Sequence, residues 1–206
     1  MRVVVLVSGR GSNLRSLAHS AETGGAIEIV GVVADRKRCA ALAFAKERNV
    51  PTAIVRPRDH EGREAWDTAL AETVASFEPE LVVLAGFMRL VGPAMLRSFE
   101  GSLLNVHPSL LPAFPGMRAP EQAIEAGVCI TGCTVHLVDA GVDTGRILAQ
   151  VAVRVRAGDD ATSLHGRIQA IEHRLFPRVV DALARGLPLE GIGDDLDGTK
   201  GENPHL

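Results

Sequence analysis

In the stretch Leu104-Asn105-Val106-His107-Pro108-Ser109-Leu110-Leu111-Pro112-Ala113-Phe114-Pro115-Gly116, an amide and an imidazole stand two residues apart at the end of an apolar run, and three prolines follow. On extended backbone, residues i and i+2 point the same way. Asn105 and His107 can therefore aim one hydrogen-bond donor and one titratable group at a single point. Proline fixes its own φ and restrains the residue before it, so Pro108 restrains His107. A rigid pair of this kind suits a reaction that develops negative charge on oxygen and moves a proton. The plainer alternative has Asn105 capping a turn and His107 as a satisfied buried histidine. The pairing of two donors ahead of Pro-Ser-Leu-Leu-Pro favours the functional reading.

Three further sets carry chemistry. Ser8-Gly9-Arg10-Gly11-Ser12-Asn13-Leu14 follows a strand and opens a helix, where backbone N–H groups and the helix dipole favour an anion. A phosphate monoester fits best. A plain turn with Ser12 as N-cap comes next. A dinucleotide comes third: Asp35 follows the second strand as that site requires, but Leu14 replaces the third glycine of Gly-x-Gly-x-x-Gly. Asp143 lies in the Gly-punctuated loop Asp139-Ala140-Gly141-Val142-Asp143-Thr144-Gly145. It is an ordinary turn former unless that loop folds over His107, in which case the two make a carboxylate–imidazole proton site. His165, Gln169, Glu172 and His173 share one helical face, by default a solvated one. Glu172 can instead bond sugar hydroxyls. No His-Glu-x-x-His spacing occurs, and no metal is expected.

The elements that must position these residues alternate. Strands are expected over Val3–Val7, Ile27–Ala34, Thr52–Val55 and Leu81–Ala85, and helices over Leu14–Glu22, Cys39–Asn49 and Glu61–Phe77, with Gly86–Gly92 a loop. Trp66, Leu70, Val74 and Phe77 keep helical spacing. This pattern predicts an α/β fold, doubly wound, with a mostly parallel sheet. After about Asn105 the pattern changes. Thr131–Val138 and Ile147–Val155 predict an antiparallel excursion, and Thr162 caps a long helix to about Arg185, kinked or interrupted by Pro177. One domain is expected over 1–186, with 187–206 a loose tail rich in Gly, Pro and Asp.

The 206 residues suffice for one well-cored domain. Apolar content of 46% and charged content of 23% describe an ordinary soluble protein. With 22 Lys and Arg against 25 Asp and Glu the net charge is -3, which disfavours a general nucleic-acid surface. Cys39, Cys129 and Cys133 cannot all pair and form no Cys-x-x-Cys, which fits a reduced compartment and a cytoplasmic location. No signal peptide is expected, and no apolar run approaches the roughly 20 residues of a membrane span.

These residues together resemble the folate-dependent glycinamide ribonucleotide formyltransferases of purine synthesis. The resemblance runs through Val3–Gly9, Val82–Arg89, Asn105–Gly116, Asp143 and Gln169–His173, covering all but the tail. Asn-x-His-Pro-Ser-Leu-Leu-Pro is shared with the wider formyltransferase superfamily, and Phe114-Pro115-Gly116 is similar to the glycinamide branch. The resemblance implies a Rossmann-like fold and transfer of a formyl group from 10-formyltetrahydrofolate to the glycine amine of glycinamide ribonucleotide. The expected partners are these two small molecules, with no nucleic acid, no membrane and a monomer or homodimer. It implies Asn105, His107 and Asp143 as catalytic, Gly11, Ser12 and Asn13 at the ribonucleotide phosphate, and Glu172 at its ribose. Met88, Arg89, Leu90 and Val91, with Val138, Asp139, Ala140, Gly141 and Val142, would line the folate pocket. Two departures stand out. Arg118 occupies the place of a second family histidine, where contact would depress the Asp143 pKa. Arg146 stands where relatives carry proline, which would loosen the Asp143 loop. The alternatives are a formyltetrahydrofolate hydrolase, for which a ribonucleotide site is superfluous, and a non-catalytic mononucleotide- or folate-binding module.

Overall fold

A computed structural model describes residues 1–196. In chain order the elements are β1 (Arg2–Val7), α1 (Ser12–Glu22), β2 (Glu28–Ala34), α2 (Ala40–Glu47), β3 (Thr52–Ile54), α3 (Gly62–Ala75), β4 (Leu81–Leu84), α4 (Pro93–Ser98), β5 (Leu103–His107), α5 (Ala119–Glu125), β6 (Ile130–Leu137), β7 (Ile147–Arg154) and α6 (Ala161–Arg185). One seven-stranded sheet has the order β3-β2-β1-β4-β5-β6-β7. Pairings from β3 to β5 are parallel, and those of β5 with β6 and β6 with β7 are antiparallel. This is the doubly wound sheet with an antiparallel excursion that the alternation implied. The short helices α4 and α5, each opened by a proline in its first turn, carry too little periodicity to be read from sequence.

The apolar run of β1 exists because both of its faces are covered. Val3, Val5 and Val7 join Leu14 and Leu17 of α1 and the buried side of α6 in one core, while Val4 and Leu6 join Trp66, Leu70 and Val74 of α3 in the other. The same alternation sets up the site. Leu104 and Val106 of β5 fall in the α1/α6 core, so Asn105 and His107 share the opposite face. The chain winds outward from β1 to β3, then crosses back to β4. Ligand crevices form at such a switch, beyond the carboxyl ends of the strands. Here Ser8 N–H donates to the Gly86 carbonyl (3.2 Å), and Met88 N–H donates to Ser8 Oγ (2.9 Å), joining the turns after β1 and β4.

The final helix is capped elsewhere than expected and is not interrupted at Pro177. Its N-cap is Asp160 rather than Thr162: Asp160 Oδ1 accepts from Ser163 N–H (2.8 Å), and Ser163 Oγ accepts from Asp160 N–H (3.1 Å). This reciprocal box satisfies two helix-end donors, which a cap at Thr162 would leave open. The helix also continues unbroken through Pro177. Leu175, Phe176, Val179 and Val180 are all fully buried around that proline, and their packing holds the turns that one missing N–H would loosen. After Gly186 the expected looseness concerns residues of which 197–206 lie outside those described. Within 187–196, Leu189 and Ile192 pack on the core and Leu196 is fully buried, because this segment carries apolar residues among its glycines.

Replacing the cap (Asp160→Ala) should cost about 1 kcal/mol of stability. A lower denaturation midpoint at unchanged slope would show it, and an unmoved midpoint would contradict the capping assignment.

Candidate active site

Asn105 and His107 face one point, and the loop between β6 and β7 brings Asp143 onto it. His107 Nδ1 lies 3.3 Å from Asp143 Oδ2, and Asn105 Nδ2 lies 3.5 Å from Asp143 Oδ1. The far ring nitrogen, His107 Nε2, donates to the Phe114 carbonyl at 2.9 Å. A carbonyl only accepts, so Nε2 carries hydrogen. Nδ1 therefore faces a carboxylate oxygen, and that contact is attractive only with a proton between them. Burial pushes the His107 imidazole below its ordinary value, against the pull of the Phe114 carbonyl and the Asp143 charge. Burial likewise pushes the Asp143 carboxyl up. The Gly116 N–H hydrogen bond and the two adjacent imidazoles outweigh this and leave the acid below its usual range.

A fourth side chain completes the cluster. His136 stands directly opposite Asn105 in the β5–β6 register. Its Nδ1–H donates to the Leu137 carbonyl (2.8 Å), so Nε2 is an acceptor for Asn105 Nδ2 at 3.2 Å and lies 3.6 Å from Asp143 Oδ1. Asn105 thus presents its nitrogen to two acceptors. His136 was visible as a polar residue inside an apolar strand, but its significance needed the strand register, which sequence does not show. It gives Asp143 a second imidazole neighbour. Arg118 is exposed and opens α5 at φ 58, and among the described residues Asp143 pairs with two imidazoles and no guanidinium. The expected coupling of Arg118 to Asp143 is therefore not formed.

The backbone around the cluster is tightly held. Thr134 Oγ donates to the Ser109 carbonyl (2.7 Å) and accepts from Leu111 N–H (3.1 Å), fastening the proline-rich segment to β6. Asp143 is at φ 55, a left-handed conformation that Asp tolerates, and its Oδ2 accepts from Gly116 N–H at 2.7 Å. A side chain at Gly145 would run into the Leu137 carbonyl, and Asp139 Oδ1 accepts from Gly141 N–H and Thr144 Oγ. Leu137 N–H still donates to the Arg146 carbonyl (2.9 Å). These ties are made by backbone and by residues other than the Arg146 side chain.

The phosphate-turn residues gather separately. Gly11 takes φ 75 as the N-cap of α1, so Ser12 is the first helical residue rather than the cap. A Cβ on Gly11 would press against Ala41, which explains glycine there. Gln169 Nε2 donates to Ser12 Oγ (3.1 Å), and Asn13 Nδ2 donates to Glu172 Oε2 (3.2 Å). Of the face proposed as solvated, only His165 is exposed; Gln169 and Glu172 turn onto the start of α1. Glu172 is 4% exposed, and burial pushes its carboxyl up to about 7. A buried carboxylate with one amide partner has acceptor capacity to spare.

Of the segments expected to line a folate pocket, 88–91 presents Met88 and Leu90 to solvent, and 139–142 is exposed; Val91 and Val138 are half-buried against the α3/α4 core. Arg89 lines a cleft of about 470 Å³ with Arg58, His60, Arg63 and Trp66. Its walls are cationic, with buried Trp66 behind them.

Comparison with known proteins places the chain in a family. Residues 1–180 match the model of the formyl transferase family. The phosphoribosylglycinamide formyltransferase of Mycobacterium tuberculosis is 52% identical over 183 residues, covering 89% of this chain and 85% of that protein. Among solved structures, glycinamide ribonucleotide transformylase 1 from Symbiobacterium toebii superposes with a TM-score of 0.88 at 43% identity, covering 90% of this chain and 88% of that one. The phosphoribosylglycinamide formyltransferase of Bacillus halodurans gives 0.86 at 40%, covering 89% and 95%. The chain belongs to the formyl transferase family.

Proposed function

We propose that this enzyme transfers the formyl group of 10-formyltetrahydrofolate to the glycine amine of glycinamide ribonucleotide, yielding formylglycinamide ribonucleotide and tetrahydrofolate in purine biosynthesis. The observation that carries the reading is the 3.3 Å approach of His107 Nδ1 to Asp143 Oδ2 beside the amide nitrogen of Asn105. The neutral amine attacks the formyl carbon, and its carbonyl oxygen becomes an oxyanion. Asn105 Nδ2 and His107 Nδ1 each have a hydrogen directed at Asp143, and an oxyanion formed in front of them takes both over. That frees the Asp143 carboxylate to accept the amine proton, directly or through one water. The tetrahedral species collapses when the folate nitrogen gains a proton and leaves. Atoms and charge balance without a covalent enzyme intermediate.

Gly11, Ser12 and Asn13 take the phosphate at the start of α1, where free backbone N–H groups and the dipole favour an anion. Glu172 accepts from the ribose hydroxyls. Met88 to Val91 and Val138 to Val142 bracket the folate, with Arg89 facing the carboxylates of its tail. The enzyme works in the cytoplasm on these two small molecules, without a nucleic-acid or membrane partner, as a monomer or homodimer.

Incubation with formyltetrahydrofolate alone should release no formate, and adding the ribonucleotide should give one formylated product per tetrahydrofolate formed. Formate released regardless of ribonucleotide would make the enzyme a hydrolase instead. Removing one oxyanion donor (Asn105→Ala) should lower kcat by roughly 100-fold or more while ribonucleotide affinity stays within a few-fold. Equal loss of both would remove Asn105 from that role.

Glu172 also makes stability depend on pH. Its carboxyl keeps a proton up to about pH 7 in the fold but sheds it near the usual 4.5 once unfolded. Its contribution is therefore complete below about pH 4.5 and falls as pH climbs to about 7, a change on the order of 3 kcal/mol. Glu172→Gln should be more stable than the parent at pH 8, lack this slope, and bind ribonucleotide more weakly. Denaturation curves at pH 5 and 8 that shift in parallel for both proteins would contradict the assignment.

A further inference from the structure

Asp35 is the acid that made a dinucleotide site conceivable, since it follows β2 where such sheets hold a ribose. The structure leaves it no capacity for one. Its side chain is fully buried, and Oδ1 accepts from Arg36 Nε (2.9 Å). Oδ2 accepts from Arg36 Nη2 (3.1 Å) and Arg89 Nε (2.8 Å). Both guanidinium groups remain about half exposed. A carboxylate driven into the protein between two half-exposed cations orients those cations; it is not itself a surface for ligand.

Of the two, Arg89 matters for the site. It lies in the segment after β4 and lines the cationic cleft with Arg58, His60, Arg63 and Trp66. The backbone of that segment is fastened at three other points. Ser8 Oγ accepts from Met88 N–H, Arg63 Nη2 donates to the Leu90 carbonyl (3.0 Å), and buried Asp67 accepts from Gly92 N–H (2.5 Å) and Ala94 N–H (2.7 Å). None of these holds the Arg89 side chain. Among the described residues Asp35 is its one ion-pair partner, bonded through Nε, and the two terminal nitrogens make no hydrogen bond there. An arginine side chain has about 2 kcal/mol of rotamer entropy to lose on binding, and pinning Nε in advance removes much of that cost.

We propose that Asp35 is a positioning residue for the formyl donor. It fixes the Arg89 guanidinium at the cationic cleft, so that a carboxylate of the donor's glutamate tail meets a fork already in place. The inference rests on the reading that Arg89 faces the folate tail. Asp35 touches neither substrate and acts through Arg89, so it sets donor affinity and leaves the chemical step alone.

Steady-state kinetics of Asp35→Asn, which keeps the shape and removes the charge, test this. KM for 10-formyltetrahydrofolate should rise roughly tenfold, as for loss of one charge-assisted hydrogen bond, with kcat nearly unchanged. A donor built on pteroate, without the glutamate, should show the same KM in both proteins. Arg89→Ala should raise the KM of the glutamate-bearing donor, and adding Asp35→Asn to it should raise it no further. Asp35→Glu, which keeps the charge but shifts it by one methylene, provides the test if Asp35→Asn does not fold, and should show the same donor-specific rise. A KM rise for the pteroate donor, or one that persists in the double variant, would overturn the proposal in favour of a merely structural acid. Weakening by Arg89→Ala with none from either Asp35 variant would overturn it alone. No weakening by Arg89→Ala would overturn the placement of Arg89 in the donor site as well.

Discussion

The Phe114 carbonyl decides the state of the His107–Asp143 pair. By taking the Nε2 hydrogen of His107 it leaves Nδ1 to face Asp143, and two lone-pair-bearing atoms 3.3 Å apart in a buried setting repel unless they share a proton. Everything around the pair serves that contact. β5 presents the ring on the face opposite Leu104 and Val106. The prolines and Thr134 hold the segment that carries Phe114. The β6–β7 register shifts between Val135 and His136, a bulge beside the site that helps turn the following loop back over the sheet. The Gly116 N–H then holds the Asp143 carboxylate from the side away from His136.

How much of this could be read from the chain depends on the range of the cause. The parallel half of the sheet was legible because burial on both faces leaves a continuous apolar run, as in Val3 to Val7. Asn105 and His107 were legible because alternation along one strand is a local property. His136 was not, since it enters the site through pairing with Asn105 across two strands, and register is set by tertiary packing. The cap of α6 moved from Thr162 to Asp160 because Asp and Ser three apart make a reciprocal box that propensity at one residue does not reveal. The Arg118 expectation failed for a related reason. Proximity in sequence to Gly116 did not bring its side chain to Asp143, because Arg118 turns outward at a left-handed φ where α5 begins.

The segment after β4 shows how the two halves of the crevice are tied together. It carries exposed apolar side chains, Met88 and Leu90, which water alone would not order. Four polar ties hold it, from Ser8 after β1, Asp35 after β2, and Arg63 and Asp67 of α3. Asp67 shows that a buried acid can be satisfied here entirely by backbone N–H groups at the start of α4, with no cation. That contrast bears on Asp35, whose backbone surroundings offer no comparable set of donors and whose partners are instead two arginines. The fold spends one buried acid on backbone order and the other on the direction of a side chain.

Glu172 is a cost of a different kind. Nothing in folding requires an acid within the α1/α6 core, where its neighbours include fully buried Cys133 and Leu175 and its hydrogen-bond partner is Asn13. Burial alone raises its pKa to about 7, so near neutral pH the free protein holds a carboxyl poised between its two states. A sugar hydroxyl that donates to it favours the ionised form, and binding is then linked to release of a proton. On the proposed function, the phosphate of the same ligand would reach the start of α1, adjacent in the chain to Asn13. The ligand would then supply both the anion that the helix end lacks and the donors that the buried acid lacks, so that a phosphorylated sugar would complete the polar side of the α1/α6 contact.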